Sequence, residues 1–206
     1  MPKRFRLTPR KEPTQDRSRV TVDAILEATE KVFVQEGYES ANTNRVAEVA
    51  GVSIGSLYQY FPSKESLLSA LAIHVKEEMV QDLSDELLNL SDAPIHEIPR
   101  GISSVIFAAY AERLDLMTVI AREAPSVDAR RKMGRVHRQL VDVLKGFFEM
   151  RKAELRLENP ELTAYCLAFA LEGALQNAIL DRPDEAKSRT MEAEIVALTT
   201  GLLRLS

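Results

Sequence analysis

Ser53, Gly55, Ser56, Tyr58, Gln59, Tyr60 and Lys64 fall in one short run, Ser53-Ile-Gly-Ser-Leu-Tyr-Gln-Tyr-Phe-Pro-Ser-Lys64, which contains no acidic residue. Short hydroxyls, an amide and phenols can hydrogen-bond phosphate oxygens and also reach base edges. A glycine among them lets the backbone approach closely. Helical spacing puts Leu57 and Phe61 on one side and Ser56, Gln59 and Tyr60 on the other. Lys64 is a cation where a helix is expected to begin, against the preference of the macrodipole for acids there. One resolution is a phosphate held jointly by the lysine and the free backbone N–H groups.

The elements that must hold this face read from the same stretch. Thr43 can cap a first helix, in which Val46, Ala47, Val49 and Ala50 form a small apolar face. Gly51 supplies the left-handed residue that ends it, Val52 plugs the turn, and Ser53 caps a second helix. Pro62 stops that helix and Ser63 caps the next. Two helices joined by a short Gly-containing turn make a helix-turn-helix, whose second helix characteristically enters the DNA major groove. A tight helical corner with a polar exterior and no DNA would give the same pattern from these residues alone.

Gly37-Tyr38, Thr43, Val46-Ala47, Ala50-Gly51-Val52-Ser53, Gly55, Leu57-Tyr58, Tyr60-Phe61, Ser63-Lys64-Glu65 and Leu67-Leu68 resemble the DNA-binding domain of tetracycline-repressor-type (TetR) regulators. The match is dense from Val20 to Leu68; beyond it the resemblance is only to an all-helical body. Ile54 departs from the pattern, since polar residues are common at that position. The candidate DNA contacts are Thr43, Asn44, Arg45, Ser53, Ile54, Gly55, Ser56, Tyr58, Gln59, Tyr60 and Lys64, with Arg17 and Arg19 before them.

The 206-residue chain has a net charge of −4, which argues against coating nucleic acid with its whole surface. Residues 1–64 nevertheless carry ten Lys/Arg against eight Asp/Glu, so a locally basic end precedes an acidic body. Eight glycines and few aromatics favour helix over sheet. The single cysteine, Cys166, excludes an internal disulfide framework and reads as a buried small hydrophobe. The basic amino terminus lacks the apolar stretch of a signal peptide, and the most apolar run, Leu162 to Leu171, is too short to span a bilayer. A cytoplasmic protein is expected.

In chain order, residues 1–19 read as a basic flexible arm, with DNA contact expected near Arg17 and Arg19. Thr21 caps the first regular helix, whose inner face is Val22, Ile25, Leu26, Thr29, Val32 and Phe33, and Gly37 ends it. From Ser63 a long helix runs towards Leu90 with Leu67, Leu68, Leu71, Val75, Met79, Leu83 and Leu87 along one side. No Gly/Ser linker interrupts it, so it is expected to couple a DNA-binding domain at 20–66 to an effector-binding and dimerisation domain at 67–206. Further helices are predicted from Glu97 or Arg100 to Arg113, Leu116 to Glu123, Val127 to Leu155, Asn159-Pro160 to Asp181, and Pro183-Asp184 to Leu203.

The fold class is therefore all-α. The helix from Glu161 to Leu180 is apolar nearly all round and must be covered on more than one side. Its small residues Ala170, Gly173, Ala174 and Ala178, with Ile195, Leu198 and Leu202 of the last helix, suit half of a four-helix bundle with a second copy; burial inside one monomer is the alternative. The resemblance favours the bundle, because TetR-like proteins dimerise through their last two long helices. It also implies a small effector in the larger domain, for which Phe107, Tyr110, Phe147, Phe148, Tyr165 and Phe169 are candidate lining groups, with Glu172, Gln176 and Asn177 as polar members. These aromatics at helical spacing equally suit a plain core.

His74, His96 and His137 lie apart in sequence with no Cys or carboxylate at ligand spacing, so no metal or cofactor is implied. The expectation is a transcriptional regulator, a repressor that binds a palindromic operator as a homodimer and is released by a small molecule. The alternative is a helical enzyme or adaptor whose corner motif does not bind DNA.

Overall fold

The acid-free run emerges as a helix held in a bend between two others, in a computed structural model that describes residues 16–123 and 127–204 and the side chains of 18–123 and 134–204. The described elements are all helical: α1 (Asp16–Glu36), α2 (Thr43–Val49), α3 (Ile54–Tyr60), α4 (Lys64–Asn89), a 3-10 turn (Ile95–Glu97), α5 (Ile98–Ala111), α6 (Leu114–Glu123), α7 (Val127–Met150), α8 (Lys152–Leu155), α9 (Pro160–Asp181) and α10 (Arg189–Leu202). They divide into two compact units. One takes the described part of residues 1–74 with 118–132, and the other takes 75–117 with 133–204. The division falls at His74–Val75 inside α4, and residues 118–123 at the end of α6 belong to the first unit.

In the first unit, Ile25, Leu26, Val32 and Phe33 of α1 meet Val46 and Ala47 of α2, Leu57 of α3, Phe61, and Leu67, Leu68 and Leu71 of α4 as a buried core. Helical periodicity identified these positions because each face buries its apolar residues three and four apart. Two details differ. Helix α1 begins at Asp16, before the Thr21 cap that the sequence suggested, because no Gly or Pro interrupts the chain between Pro13 and Gly37. Arg17 and Arg19 therefore belong to a helix; the basic arm up to residue 15 lies outside the described residues. Val49, assigned to the apolar face of α2, is exposed.

The second unit is built on α5, α9 and α10, which pack on one another. Buried Ser103 on α5 lies 2.7 Å from Thr199 Oγ1 on α10, and with the Thr199 hydroxyl donating to the Ile195 carbonyl at 3.0 Å, Ser103 is left to donate to Thr199. Gly101 admits the end of α4: a β-carbon there would stand 2.6 Å from Leu90 Cδ1. The helix predicted from Val127 to Leu155 breaks after Met150. The cause is Arg151, nearly fully buried, whose five N–H donors bond the carbonyls of Leu90, Ser91 and Ala93 and both carboxylate oxygens of Glu154. The last helix starts at Arg189, capped by Ser188, because 182–188 form turns after Pro183 rather than the predicted first helical turns.

Candidate nucleic-acid interface

The turn that aims α3 is fixed by backbone hydrogen bonds that only a left-handed residue allows. Gly51 stands at φ +66°, its N–H donates to Glu48 at 3.1 Å, and the Val52 N–H donates to Ala47 at 3.0 Å. This is the Schellman closure, and a β-carbon at Gly51 would strain it. Ser53 then caps α3, accepting from the Ser56 N–H at 3.0 Å. Leu57 and Phe61 are buried beneath it. Ile54, Gly55, Tyr58 and Gln59 are left exposed; of the three residues that helical spacing put opposite Leu57 and Phe61, Gln59 is exposed while Ser56 and Tyr60 are half-buried. The Ser56 hydroxyl lies 2.8 Å from that of Ser53, and the Tyr60 ring leans on Phe61 with centroids 6.4 Å apart.

The residues ahead of α3 have more specific roles than their types suggested. Asn42, not Thr43, caps α2, accepting from the Arg45 N–H at 3.0 Å. Thr43 is freed to bond the Tyr58 hydroxyl at 2.9 Å, tying the outer faces of α2 and α3 together. Asn44 is exposed beside it. Arg45 donates to Glu36 at 2.7 Å and to Glu48 at 2.9 Å. These hydrogen bonds raise its pKa further, and they spend much of its fork on joining α1 to α2 rather than on a solvent-facing ligand. Arg19 is exposed on α1; the Arg17 side chain lies outside the described residues.

Lys64 also has partners inside the chain. Its ammonium donates to the Tyr38 carbonyl at 2.7 Å, lies 3.4 Å from that of Glu39, and sits 4.2 Å from the centre of the Tyr38 ring. A cation at this helix start therefore has an explanation without a phosphate. It ties down the turn that follows Gly37, which stands at φ +77°.

In the second unit, the candidate effector residues separate. Tyr110 and Glu172 are buried in one polar cluster with Lys76, which sequence reasoning missed, and with His137, which it left unpartnered. Lys76 donates to Tyr110 at 2.6 Å and to Glu172; His137 Nε2 contacts the second Glu172 oxygen; Gln176 donates to Tyr110 at 3.2 Å. Burial opposes charge on Glu172, but His137 and Lys76 outweigh it and hold the carboxyl below its ordinary range. Burial likewise opposes charge on Lys76, yet Tyr110 and Glu172 push its pKa above the ordinary value. The signal for Lys76 was its position, four before Val80 and three before Met79 on an otherwise apolar face. Phe107, Phe147 and Phe148 are buried core. Tyr165 and Phe169 are 52% and 43% exposed and stack on each other at 4.6 Å, so they face outward rather than into a core. Asn177 is exposed and donates to the Gly173 carbonyl.

The candidate interface residues separate as well. Ala170, Gly173, Ala174 and Leu202 are half-exposed and Leu198 is exposed, whereas Ala178 and Ile195 are buried within their own unit and present no surface. Cys166, read as buried, is exposed, because α9 is uncovered on that side. Among the described residues no helix is long and apolar enough to cross a membrane.

Comparison with known proteins agrees with this architecture. Residues 25–71 match "Bacterial regulatory proteins, tetR family", and residues 94–203 match "Tetracyclin repressor-like, C-terminal domain". The chain is 26% identical over 147 residues to the uncharacterized helix-turn-helix transcriptional regulator YhgD of Bacillus subtilis, covering 69% of this chain and 76% of YhgD. Its fold resembles that of the fatty acid degradation regulator FadR from Bacillus halodurans (TM-score 0.64, 19% identity, 94% and 95% of the two chains covered). It also resembles SmeT, solved as a triclosan complex (TM-score 0.62, 20% identity, 88% and 90% covered). The matched families set aside the enzyme and adaptor readings: the chain belongs to the TetR family and is a DNA-binding transcriptional regulator.

Proposed function

We propose that this regulator is a cytoplasmic repressor that binds a palindromic operator as a homodimer and leaves it when a small molecule binds. The observation that carries the DNA contact is the exposed face of Ile54, Gly55, Tyr58 and Gln59, free of acids and anchored to α2 through Thr43. Tyr58 and Gln59 read base edges; Thr43, Ser53, Ser56, Tyr60 and Lys64 position the helix through phosphates, with Asn44 and Arg19 at the margin. Arg45 is a positioning residue. DNA reading is assigned to residues 20–66, and effector binding and dimerisation to 67–206.

Dimerisation is supported by the outward stripe of α9. Leu162, Cys166, Phe169, Gly173, Gln176 and Leu180 alternate at spacings of four and three, the seam of a helix that packs on a partner helix. Leu162, Phe169 and Leu180 are all exposed there. A small-molecule effector is supported by the triclosan-bound relative of the same fold. Light scattering on the free protein and fluorescence anisotropy with a palindromic fragment test the reading: two chains should bind one site, and half-sites moved by half a helical turn should lose affinity.

A further inference from the structure

Ile54 is the first residue of α3 and is 37% exposed. The hydroxyls around it are turned to one another: Ser53 and Ser56 lie 2.8 Å apart, and Ser53 also takes the Ser56 N–H as its cap. Gly55 adds no side chain, and a β-carbon there would meet only the Ser53 hydroxyl, at 3.8 Å. One turn later the Tyr58 hydroxyl is held by Thr43 at 2.9 Å. The first turn of the proposed reading helix thus presents a branched apolar side chain beside bare backbone, with neither acid nor cation in the run 53–56.

A lone exposed isoleucine is ordinary on a protein surface; its place decides the matter here. Isoleucine takes no part in the donor–acceptor code of the major groove. It can recognise only apolar surface, and of the four bases only thymine offers any at that edge, its C5-methyl. The amino group of cytosine or adenine and the carbonyl of guanine would instead lose water to a side chain that returns no hydrogen bond.

We infer that Ile54 is a specificity-determining residue that selects a thymine in each operator half-site by packing on its C5-methyl. The inference rests on α3 as the reading helix, and it adds an apolar base contact to the polar ones assigned to Tyr58 and Gln59.

Duplexes that the full-length protein selects from a random pool, rebuilt with deoxyuridine in place of one thymidine at a time, test it by anisotropy. Uracil keeps the hydrogen-bonding edge of thymine and lacks only the methyl. Burying a methyl-sized group is worth about four-fold in affinity, so one position in each half-site should respond by about three- to five-fold, and both together by about ten- to twenty-fold. Ile54→Ser, with native circular dichroism, should bind the thymine duplex more weakly and respond to uracil by less than about 1.5-fold at every position. Ile54→Val should fall between it and the native protein. An Ile54 that merely shielded the core would lower the binding of both duplexes alike, and that result would overturn the assignment. So would uracil tolerated at every position, or a methyl response that persists in Ile54→Ser. If Gln59→Ala still reorders operator variants in those cases, the failure is confined to Ile54; a pool from which nothing is enriched overturns the reading helix with it.

Discussion

The Lys64 ammonium lies 2.7 Å from the carbonyl oxygen of Tyr38 and 4.2 Å from the centre of its ring. The start of α4 is thereby fastened to the turn between α1 and α2, across 26 residues of sequence. Tyr38 stays neutral in this arrangement. Burial, then the charges of Glu65, Glu123 and Glu39, push its pKa up to about 12.

Lys64→Ala should therefore cost stability in the absence of DNA. A charge-assisted bond at a half-exposed site is worth about 1–2 kcal/mol, or about 2–8 °C in Tm for a chain of this size. Thermal melts of the free protein check this. The charge also serves the proposed interface, so the salt slope of DNA binding should fall by about one.

Thr43 and Tyr58 should behave as one unit. Tyr58→Phe and Thr43→Val each remove the same 2.9 Å bond besides their own proposed DNA contacts, so the double variant should lose less operator affinity than the sum of the two single losses. Each should change Tm by less than about 0.5 kcal/mol equivalent, because both groups are exposed. Additive losses in affinity would mean that the two hydroxyls meet DNA independently.

How far the sequence could be read depended on whether a role was local. Gly51, Ser53 and the alternation of Leu57 with the exposed residues are set by neighbours within five positions, and the fold reproduces them. The burial of Leu67 through Leu87 along α4 followed from helical period alone. Roles that depend on distant chain did not show. Lys64 reads as a misplaced helix-start cation until Tyr38 is brought to it; Arg151 reads as mid-helix until three carbonyls beyond α4 converge on it; His137 has no partner until Glu172 arrives from α9. Caps were legible by type but not by position, since Asn42 and Thr43 compete for one helix start.

Lys76→Met should be strongly destabilising, by about 3–5 kcal/mol, because it leaves the buried Glu172 without its lysine. Glu172→Gln in the same chain should recover much of the loss. The pH dependence has a definite sign. In the native protein the Glu172 carboxyl is depressed, so its contribution is complete above the ordinary carboxylate pKa of 4.5 and is lost as pH falls through the lower folded value. Lys76 is raised, so its contribution is complete below 10.5 and is lost as pH rises through the higher folded value. The native pair should thus be insensitive between pH 5 and pH 9 (about). In Lys76→Met the lysine's share of that depression is lost while His137 remains, so the Glu172 pKa should rise relative to the native protein and the acid-side loss of stability should shift to higher pH. Urea titrations at several pH values read this out.

Gly173→Arg should separate chains without unfolding them. A β-carbon at Gly173 meets nothing within 4 Å, so the single chain has room for a side chain there. A charge facing its two-fold mate would be presented twice at the proposed seam. Light scattering should give a monomer with native circular dichroism and weakened operator binding; a tight dimer would place the seam elsewhere.

Selection of bound fragments from the source genome, followed by anisotropy with the enriched sequence, tests the central claim most directly. The account predicts a palindrome whose half-sites lie one helical turn or a multiple apart, bound by two or four chains. Gln59→Ala and Tyr58→Ala should reorder the affinities of operator variants by roughly ten-fold or more, as lost base contacts do. A protein that enriches no sequence, or whose enriched site is bound equally well by both variants, would contradict α3 as the reading helix.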